Sequence, residues 1–193
     1  VLFGLLPVNA PAQPHLLTDC NESALRTAVA TGGTVTLACD GTITLSSTLI
    51  ITNNTLLDGS GHRVTISGAD TVRVFLVQTN VTLNLVNLTL AHGQSTSGGG
   101  IYNNGGHVKL VGVTFLNNQA IALSPPGDGC GGAVMSKSGT VCATNCCFSG
   151  NTAQGGNPLY PGENGHAGNG GAIYSSGEVT LSTCSFLRNA ASG

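Results

Sequence analysis

Three copies of one short segment in the second half of the chain constrain its fold more than any other feature. The copies are residues 98–120 (GGGIYNNGGHVKLVGVTFLNNQA), 131–153 (GGAVMSKSGTVCATNCCFSGNTA) and 170–191 (GGAIYSSGEVTLSTCSFLRNAA). Their starts lie 33 and 39 residues apart, and the difference falls in the stretches between the copies. Because self-similarity at such a period marks stacked supersecondary units, the sequence predicts a repeat protein rather than one globular core.

Each copy alternates apolar and polar residues over short runs, as in residues 108–110 and 113–115. A period of two is typical of half-buried strands, and no run has the length that a helix needs. Gly, Asn and Ser separate the runs, and weaker runs of the same kind begin near Thr34. We therefore predict an all-β fold, a right-handed parallel β-helix with three-strand coils, which forms one solenoid over residues 34–193.

Alignment of the copies predicts which side chains stack on one another from coil to coil. Equivalent strand positions of neighbouring coils lie about 4.8 Å apart, so identical residues form ladders. The predicted interior ladders are Val108/Val141/Val179, Leu110/Ala143/Leu181 and Phe115/Phe148/Phe186, with a corner ladder of Asn118/Asn151/Asn189. Gly99, Gly132 and Gly171 are predicted to adopt backbone angles that other residues avoid.

The N-terminal part precedes the repeats and has a different pattern. Residues 1–14 resemble the end of a secretory signal or an apolar tail. Residues 15–33 are predicted to form a capping helix, with Asp19 and Glu22 as a capping box and glycines 32–33 as its stop. A disulfide between Cys20 and Cys39 would fix this cap to the first coil.

The other end of the predicted solenoid lies at Gly193, directly after a complete copy of the repeat. The last coil is therefore expected to be open, so that either the β-helix is truncated there or something else covers its edge.

Composition narrows the classes of function. Only 7 % of the residues are charged and the net charge is −2, which argues against nucleic acid or anionic lipid as a partner. No stretch is long enough to span a membrane. Seven cysteines favour an oxidising compartment, so we expect a secreted, extracellular or cell-surface protein. No Cys or His spacing fits a metal site, and no cofactor motif is present.

Candidate catalytic residues are few because the chain has only eight carboxylates. Glycoside cleavage needs two acids on one face, and the best pair is Asp128 and Glu163. They lie in the two insertions, residues 121–130 and 154–169, which follow successive repeats and should emerge from one edge. Since loops rich in Gly and Pro carry acids by chance, we assign no catalytic residue and predict a protein that is not an enzyme. A polysaccharide lyase or hydrolase is the third alternative.

The insertions are also the predicted contact surface, because insertions in repeat proteins cluster on one face, which is often the binding face. The candidate binding residues are Leu159, Tyr160, Glu163 and His166. The alternative is that this loop folds back onto the solenoid.

The motifs G-G-A-I and F-x-x-N alternate along the repeats. They stand at residues 98–101 with 115–118, 131–134 with 148–151, and 170–173 with 186–189, with Gly100 in place of Ala and Val134 in place of Ile. This pattern resembles the repeats of the chlamydial polymorphic outer-membrane proteins, within the broader group of secreted bacterial β-helix repeat proteins. The resemblance implies a surface-displayed β-helix acting in adhesion.

Two functions follow as expectations. The first is an adhesin-like bacterial surface module, whose partner is a protein or glycan on the surface of a host or neighbouring cell. The alternative is a structural subunit of an extracellular fibre or sheath, in which copies of the chain pair through the open solenoid end.

Overall fold

The computed structural model describes residues 14–122, 127–157 and 165–193. In these residues the chain forms one helix, α1 (Glu22–Thr31), and a series of short strands. The strands are β1 (His15–Leu17), β2 (Gly33–Leu37), β3 (Gly41–Thr44), β4 (Leu49–Ile51), β5 (Thr55–Asp58), β6 (Val64–Ser67), β7 (Phe75–Val77), β8 (Thr82–Val86), β9 (Thr89–Ala91), β10 (Gln94–Ser95), β11 (Ile101–Val111), β12 (Thr114–Leu116), β13 (Gln119–Ile121), β14 (Gly129–Cys130), β15 (Val134–Thr144), β16 (Cys147–Ser149), β17 (Thr152–Gln154), β18 (Gly168–Asn169), β19 (Ile173–Ser175), β20 (Glu178–Ser182), β21 (Ser185–Leu187) and β22 (Ala190–Ser192).

These strands stack into parallel sheets in which each strand pairs with its equivalents one coil away. The largest sheet follows the path β1-β2-β5-β8-β11-β15-β19, and β4, β7 and β20 join it from the side. The second sheet runs β21-β16-β12-β9-β6-β3, and the third runs β10-β13-β17-β22. A full coil uses three strands, as in β11-β12-β13 and β15-β16-β17. The predicted all-β parallel β-helix is thus confirmed.

The interior ladders have the predicted register. Val108 pairs with Val141 and Val141 with Val179, and the Leu110 column follows two residues later. The rings of Phe115, Phe148 and Phe186 form a continuous stack, with 4.8 Å between successive centroids and nearly parallel planes. Phe115 and Phe148 are fully buried. The core is therefore a set of columns parallel to the solenoid axis.

The asparagine ladder also has the predicted form. Asn118 Nδ2 donates to Asn151 Oδ1 at 3.0 Å, and Asn151 Nδ2 donates to Asn189 Oδ1 at 2.9 Å. Each amide also reaches a backbone carbonyl of an earlier coil: Asn151 Nδ2, for example, donates to Phe115 O at 3.1 Å. Asn118 and Asn151 are fully buried, and their polar atoms are satisfied by this corner.

The prediction that Gly99, Gly132 and Gly171 adopt backbone angles avoided by other residues was wrong, because these glycines do not have positive φ. The residues with positive φ are the preceding glycines, Gly98, Gly131 and Gly170, at 61°, 63° and 62°. Gly132 is instead required by space, since an added Cβ would lie 2.2 Å from the carbonyl oxygen of Gly171 in the next coil. The glycine pair therefore combines a left-handed turn with a close approach of two backbones.

The start of α1 also differs from the prediction. Asn21 is the N-cap, and its side chain accepts a hydrogen bond from the Ala24 backbone N–H at 2.8 Å. Glu22 does not cap the helix; its Oε1 accepts hydrogen bonds from Arg26 and from both the backbone N–H and the hydroxyl of Ser46. Asp19 therefore has no part in a capping box, and the D-x-x-E spacing was coincidental.

The helix covers the first coils through one apolar face. Leu25, Ala28 and Val29 are buried against the core, and the helix ends at Gly32, which has a φ of 73°. Cys20 and Cys39 form a disulfide that closes the segment around α1, with 5.6 Å between their Cα atoms.

Several strands were not predicted: β1, β5, β14, β18 and the strands of the third sheet. In β5 the buried residue at the start is Thr55, whose hydroxyl donates to the carbonyl of Asn53 at 2.8 Å. A buried threonine hides the apolar alternation on which the prediction depended. Strand β1 has three residues, too few to show a period. It pairs with β2 at the edge of the largest sheet.

Candidate functional site

One corner of the solenoid carries both insertions. Each insertion begins after a strand of the third sheet, β13 or β17, and ends in a two-residue strand, β14 or β18. These two strands pair in parallel, with Gly129 opposite Gly168 and Cys130 opposite Asn169. A single bridge between Ser97 and Cys130 continues the column into the coil below. We call the surface formed by residues 94–98, 127–130 and 165–169 the insertion corner.

Asp128 joins the two insertions. Its Oδ1 accepts a hydrogen bond from the backbone N–H of Ala167 at 3.1 Å and lies 3.6 Å from His166 Nδ1, and its Oδ2 lies 3.4 Å from Asn169 Nδ2. The backbone adds two further links, from Gly156 N to Gly127 O at 3.0 Å and from His166 N to Gly156 O at 2.9 Å. The insertions therefore stack on each other in these segments.

The structure brings two of the predicted site residues together, Asp128 and His166. Asp128 is exposed and His166 is half-buried. The other three, Leu159, Tyr160 and Glu163, lie outside the described residues, as do residues 123–126 of the first insertion.

Arg73 is a functional candidate that the sequence analysis did not select. Its guanidinium is held by neutral acceptors of the next coil: Nε donates to Gly98 O at 3.0 Å, and Nη2 donates to Ser97 O at 2.8 Å and Ser95 Oγ at 2.7 Å. The guanidinium carbon lies 4.8 Å from the centre of the Tyr102 ring. Burial lowers the pKa of Arg73 below its usual range, but an arginine remains charged at neutral pH.

Arg73 is one of the residues that line a cleft of about 370 Å³ at the same corner. Its walls come from three successive coils and include Thr48, Thr71, Gln94 and Thr96. A second cleft of about 390 Å³, between α1 and residues 47–50, shares Thr48 with it and contains Arg26. Two neighbouring clefts thus lie on the N-terminal side of the insertion corner. No sequence signal could have indicated them, because they depend on which turns stack.

Two other Asp–His contacts lie at other turns, each formed across a separation of 22 residues. His62 Nδ1 lies 3.4 Å from Asp40 Oδ2, and His92 Nδ1 lies 3.1 Å from Asp70 Oδ2. The backbone N–H of Arg63 donates to Asp40 at 2.6 Å and, with His62, lowers the pKa of that carboxyl. The two aspartates are exposed and the two histidines are half-buried, and the contacts tie one turn to the next.

The described residues show no other feature of a catalytic or metal centre. Within residues 14–122, 127–157 and 165–193, no three His, Cys, Asp or Glu side chains are grouped as a metal ion would require. In the same ranges no helix is long and apolar enough to cross a bilayer.

Five cysteines are unpaired: Cys130, Cys142, Cys146, Cys147 and Cys184. Burial raises the pKa of Cys130 and Cys146, so these thiols are poor nucleophiles at neutral pH.

Fold and corner together define the class of protein, a parallel β-helix repeat protein with insertions at one corner. A family model for the Chlamydia polymorphic membrane protein repeat matches residues 112–137 and 145–176, which is less than a third of the chain. The resemblance indicated by the G-G-A-I and F-x-x-N motifs is therefore confirmed for these repeats. No curated protein matches the chain, and no solved structure does.

The matched repeat indicates a bacterial surface protein or one associated with the outer membrane.

Proposed function

We propose that the chain is an extracellular, adhesin-like recognition module that binds a partner on another cell through the insertion corner. The partner is a protein or a glycan of a host or neighbouring cell surface. The solenoid acts as a rigid support, and the corner supplies the contacts.

The observation that carries this proposal is the stacking of the two insertions. Two excursions of different length leave the same corner of neighbouring coils and are joined through β14–β18 and through Asp128. Independent loops would pay an ordering cost on binding, whereas stacked ones present a partly preformed surface. The matched bacterial surface repeats support the same assignment.

The contacts of Asp128 also favour recognition over catalysis. Both of its oxygens face groups of the neighbouring insertion, namely Ala167 N, His166 and Asn169. We infer that Asp128 positions the loops. A lyase or hydrolase would instead use it with Glu163. Incubation of the chain with acidic polysaccharides is expected to give no turnover, and turnover that is lost in D128N would support the enzyme.

The test replaces the insertions by the short corner that the chain already contains. Ser95 pairs with Ala120, and Ala120 pairs with Ala153, but only Thr96 and Ser97 separate Ser95 from Gly98. In the variant, residues 121–130 and 154–169 are each replaced by Thr-Ser. Binding to epithelial and bacterial cells is measured by flow cytometry, together with the thermal unfolding temperature of each protein.

We expect the variant to remain folded and to lose binding. The matched control is K109A, which changes an exposed residue on the largest sheet away from the corner and should bind as the parent does. Equal binding by the parent and the shortened variant would contradict the proposal.

A second candidate is assembly of copies through the last coil. In this chain β20, β21 and β22 pair on one side only, and Leu181 and Phe186 are 43 % and 45 % exposed. Contact between copies would bury these side chains and extend the ladders. Light scattering tests this: filaments that are lost in L181K would support assembly, and a monomer at high concentration would contradict it.

A further inference from the structure

The side chain of Arg73 has one nitrogen free for a ligand. Its hydrogen bonds use Nε and Nη2, and all go to neutral oxygens. Nη1 has no hydrogen-bond partner among the described residues, where every buried side-chain nitrogen or oxygen atom is satisfied. Nη1 is therefore not fully enclosed by the protein. No described carboxylate forms an ion pair with Arg73.

This arrangement leaves a partly desolvated positive charge without a counterion. Removing a charge from water is costly unless an opposite charge accompanies it. The cleft at Arg73 therefore favours an incoming anion more than an exposed arginine would. The guanidinium is also fixed in advance by Gly98, Ser97 and the Tyr102 ring, so little rotamer freedom is lost on binding.

The residues that line the cleft indicate which class of molecule the anionic group belongs to. Thr71, Gln94, Ser95 and Thr96 supply hydroxyl and amide groups, while most of the exposed wall is apolar and includes Val72. Such walls offer donors and acceptors for the hydroxyl groups of a sugar beside an apolar surface for its ring. A volume of about 370 Å³ lies at the lower end of small-ligand sites and suits one or two sugar rings.

We propose that the cleft at Arg73 binds an acidic sugar of a glycan, with the carboxylate of the sugar on Arg73 Nη1 and its hydroxyl groups on Thr71, Gln94 and Thr96. The proposal rests on the proposed function and names the ligand class for the cleft below the insertions. A carboxylate and a guanidinium form short, charge-assisted hydrogen bonds, which give the site its specificity for acidic over neutral sugars.

Isothermal titration of the whole chain tests the proposal with four probes. They are an oligosaccharide ending in glucuronic acid, the same oligosaccharide with its carboxyl group reduced, a sulfated oligosaccharide and a glutamate-rich peptide. We expect the glucuronic acid probe to bind and the reduced probe to bind at least tenfold more weakly. Stronger binding of the sulfated probe would indicate that the bound anion is a sulfate group, and would overturn the proposal of a carboxylate. Preference for the peptide, or no difference between acidic and reduced sugars, would overturn the site.

Variants at the cleft separate a ligand role of Arg73 from a structural one. R73Q removes the charge but also hydrogen bonds between coils, so its effect on folding is measured in parallel. T96D is a more specific test, because Thr96 is exposed and its hydrogen bond to Cys130 involves the backbone and not the side chain. A carboxylate at this position would place a negative charge beside the arginine and reduce binding of the acidic probe at least tenfold, whereas T96N, which loses the same hydroxyl but adds no charge, should reduce it clearly less. Equal binding by T96D and T96N would contradict the proposal.

The outcomes also distinguish this inference from the proposed function. If the chain binds cells but no acidic sugar, the recognition module stands and the Arg73 site fails. If the sugar binds at Arg73 but the chain binds no cells, the site stands and the adhesin-like role fails.

Discussion

At the scale of single residues, the corner asparagines explain how the coils hold their register. An asparagine side chain both donates and accepts, so the same residue can repeat along a stack with every amide satisfied by its neighbour. Asn151 shows this fully: its Oδ1 accepts from the backbone and side chain of Asn118, and its Nδ2 donates to Asn189 and Phe115 O. A residue that only accepts cannot continue the chain of bonds.

N151D is therefore expected to destabilise the protein by about 3 kcal/mol or more at pH 7. The substitution removes the donors to Asn189 and Phe115 O and leaves a buried negative charge beside those oxygens. Burial raises the pKa of such a carboxyl in the folded state, so the penalty is present above that raised pKa and diminishes as pH falls through it. Urea unfolding at pH 7 and pH 4 measures the difference.

The control is N189D, at the half-buried last rung, where one hydrogen bond to Phe148 O is lost and solvent is near. Its penalty should be clearly smaller. Equal penalties for the two variants, or a penalty for N151D that grows on acidification, would show that the ladder does not work by donor and acceptor pairing.

At the scale of the element, one coil is three short strands whose side chains stack on the coils above and below. The phenylalanine column shows how much a coil depends on both neighbours. Phe148 is enclosed between two rings and fully buried, whereas Phe186 has one ring neighbour and is 45 % exposed. Burial, and hence the free energy from removing apolar surface from water, is therefore unequal along an apparently uniform column.

F148A should cost about 3–5 kcal/mol of unfolding free energy, because it leaves a cavity between two rings. F186A should cost roughly half as much or less, since much of its ring already contacts water. Chemical denaturation of both variants measures the two values. If F186A were as costly as F148A, its ring would have to be covered by a contact with another copy.

The sequence predicted these elements well where the repeat supplied several aligned copies. The Phe and Asn columns could be assigned because three residues of one type occupy equivalent positions. The glycine pair was harder, since the alignment identifies Gly98 and Gly99 alike but not which of them turns and which avoids a collision. Arg73 could not be found at all: its partners are two backbone carbonyls and one serine hydroxyl 22 to 25 positions away, and no sequence pattern distinguishes these groups from others of their kind.

At the scale of the whole molecule, the solenoid is nearly one-dimensional, because coils contact their neighbours and not distant parts of the chain. Stability is then set locally, and the ends are expected to open before the middle. The N-terminal end is held by α1, by the Cys20–Cys39 disulfide and by Glu22, which bridges Arg26 of the helix to Ser46 of the coil.

E22Q is expected to weaken that end by about 1 kcal/mol at pH 7 and to leave the central coils unchanged. The backbone N–H of Ser46, followed by Arg26, holds the pKa of Glu22 below its ordinary value of 4.5. A lowered folded-state pKa contributes stability above about pH 4.5, which is lost as pH falls through the folded value. Hydrogen exchange at pH 7 and pH 3, compared between residues 22–31 and 101–111, measures it.

E178Q is the control, because Glu178 is an exposed carboxylate at the other end of the chain. It should leave exchange in α1 unchanged. Protection lost evenly along all coils in E22Q would mean that the solenoid unfolds as one unit and not from its ends.

The corner that joins the third sheet to the next coil is two residues long at Thr96–Ser97 but ten and sixteen residues long in the two coils above, with the ladders undisturbed. Corner length and strand register are thus independent variables. Mutations that change the length or sequence of a corner are selected only for binding to the partner. Mutations in a ladder are selected for correct folding. Variants of this chain should accordingly diverge fastest at this corner, so that new specificities can arise on an unchanged scaffold.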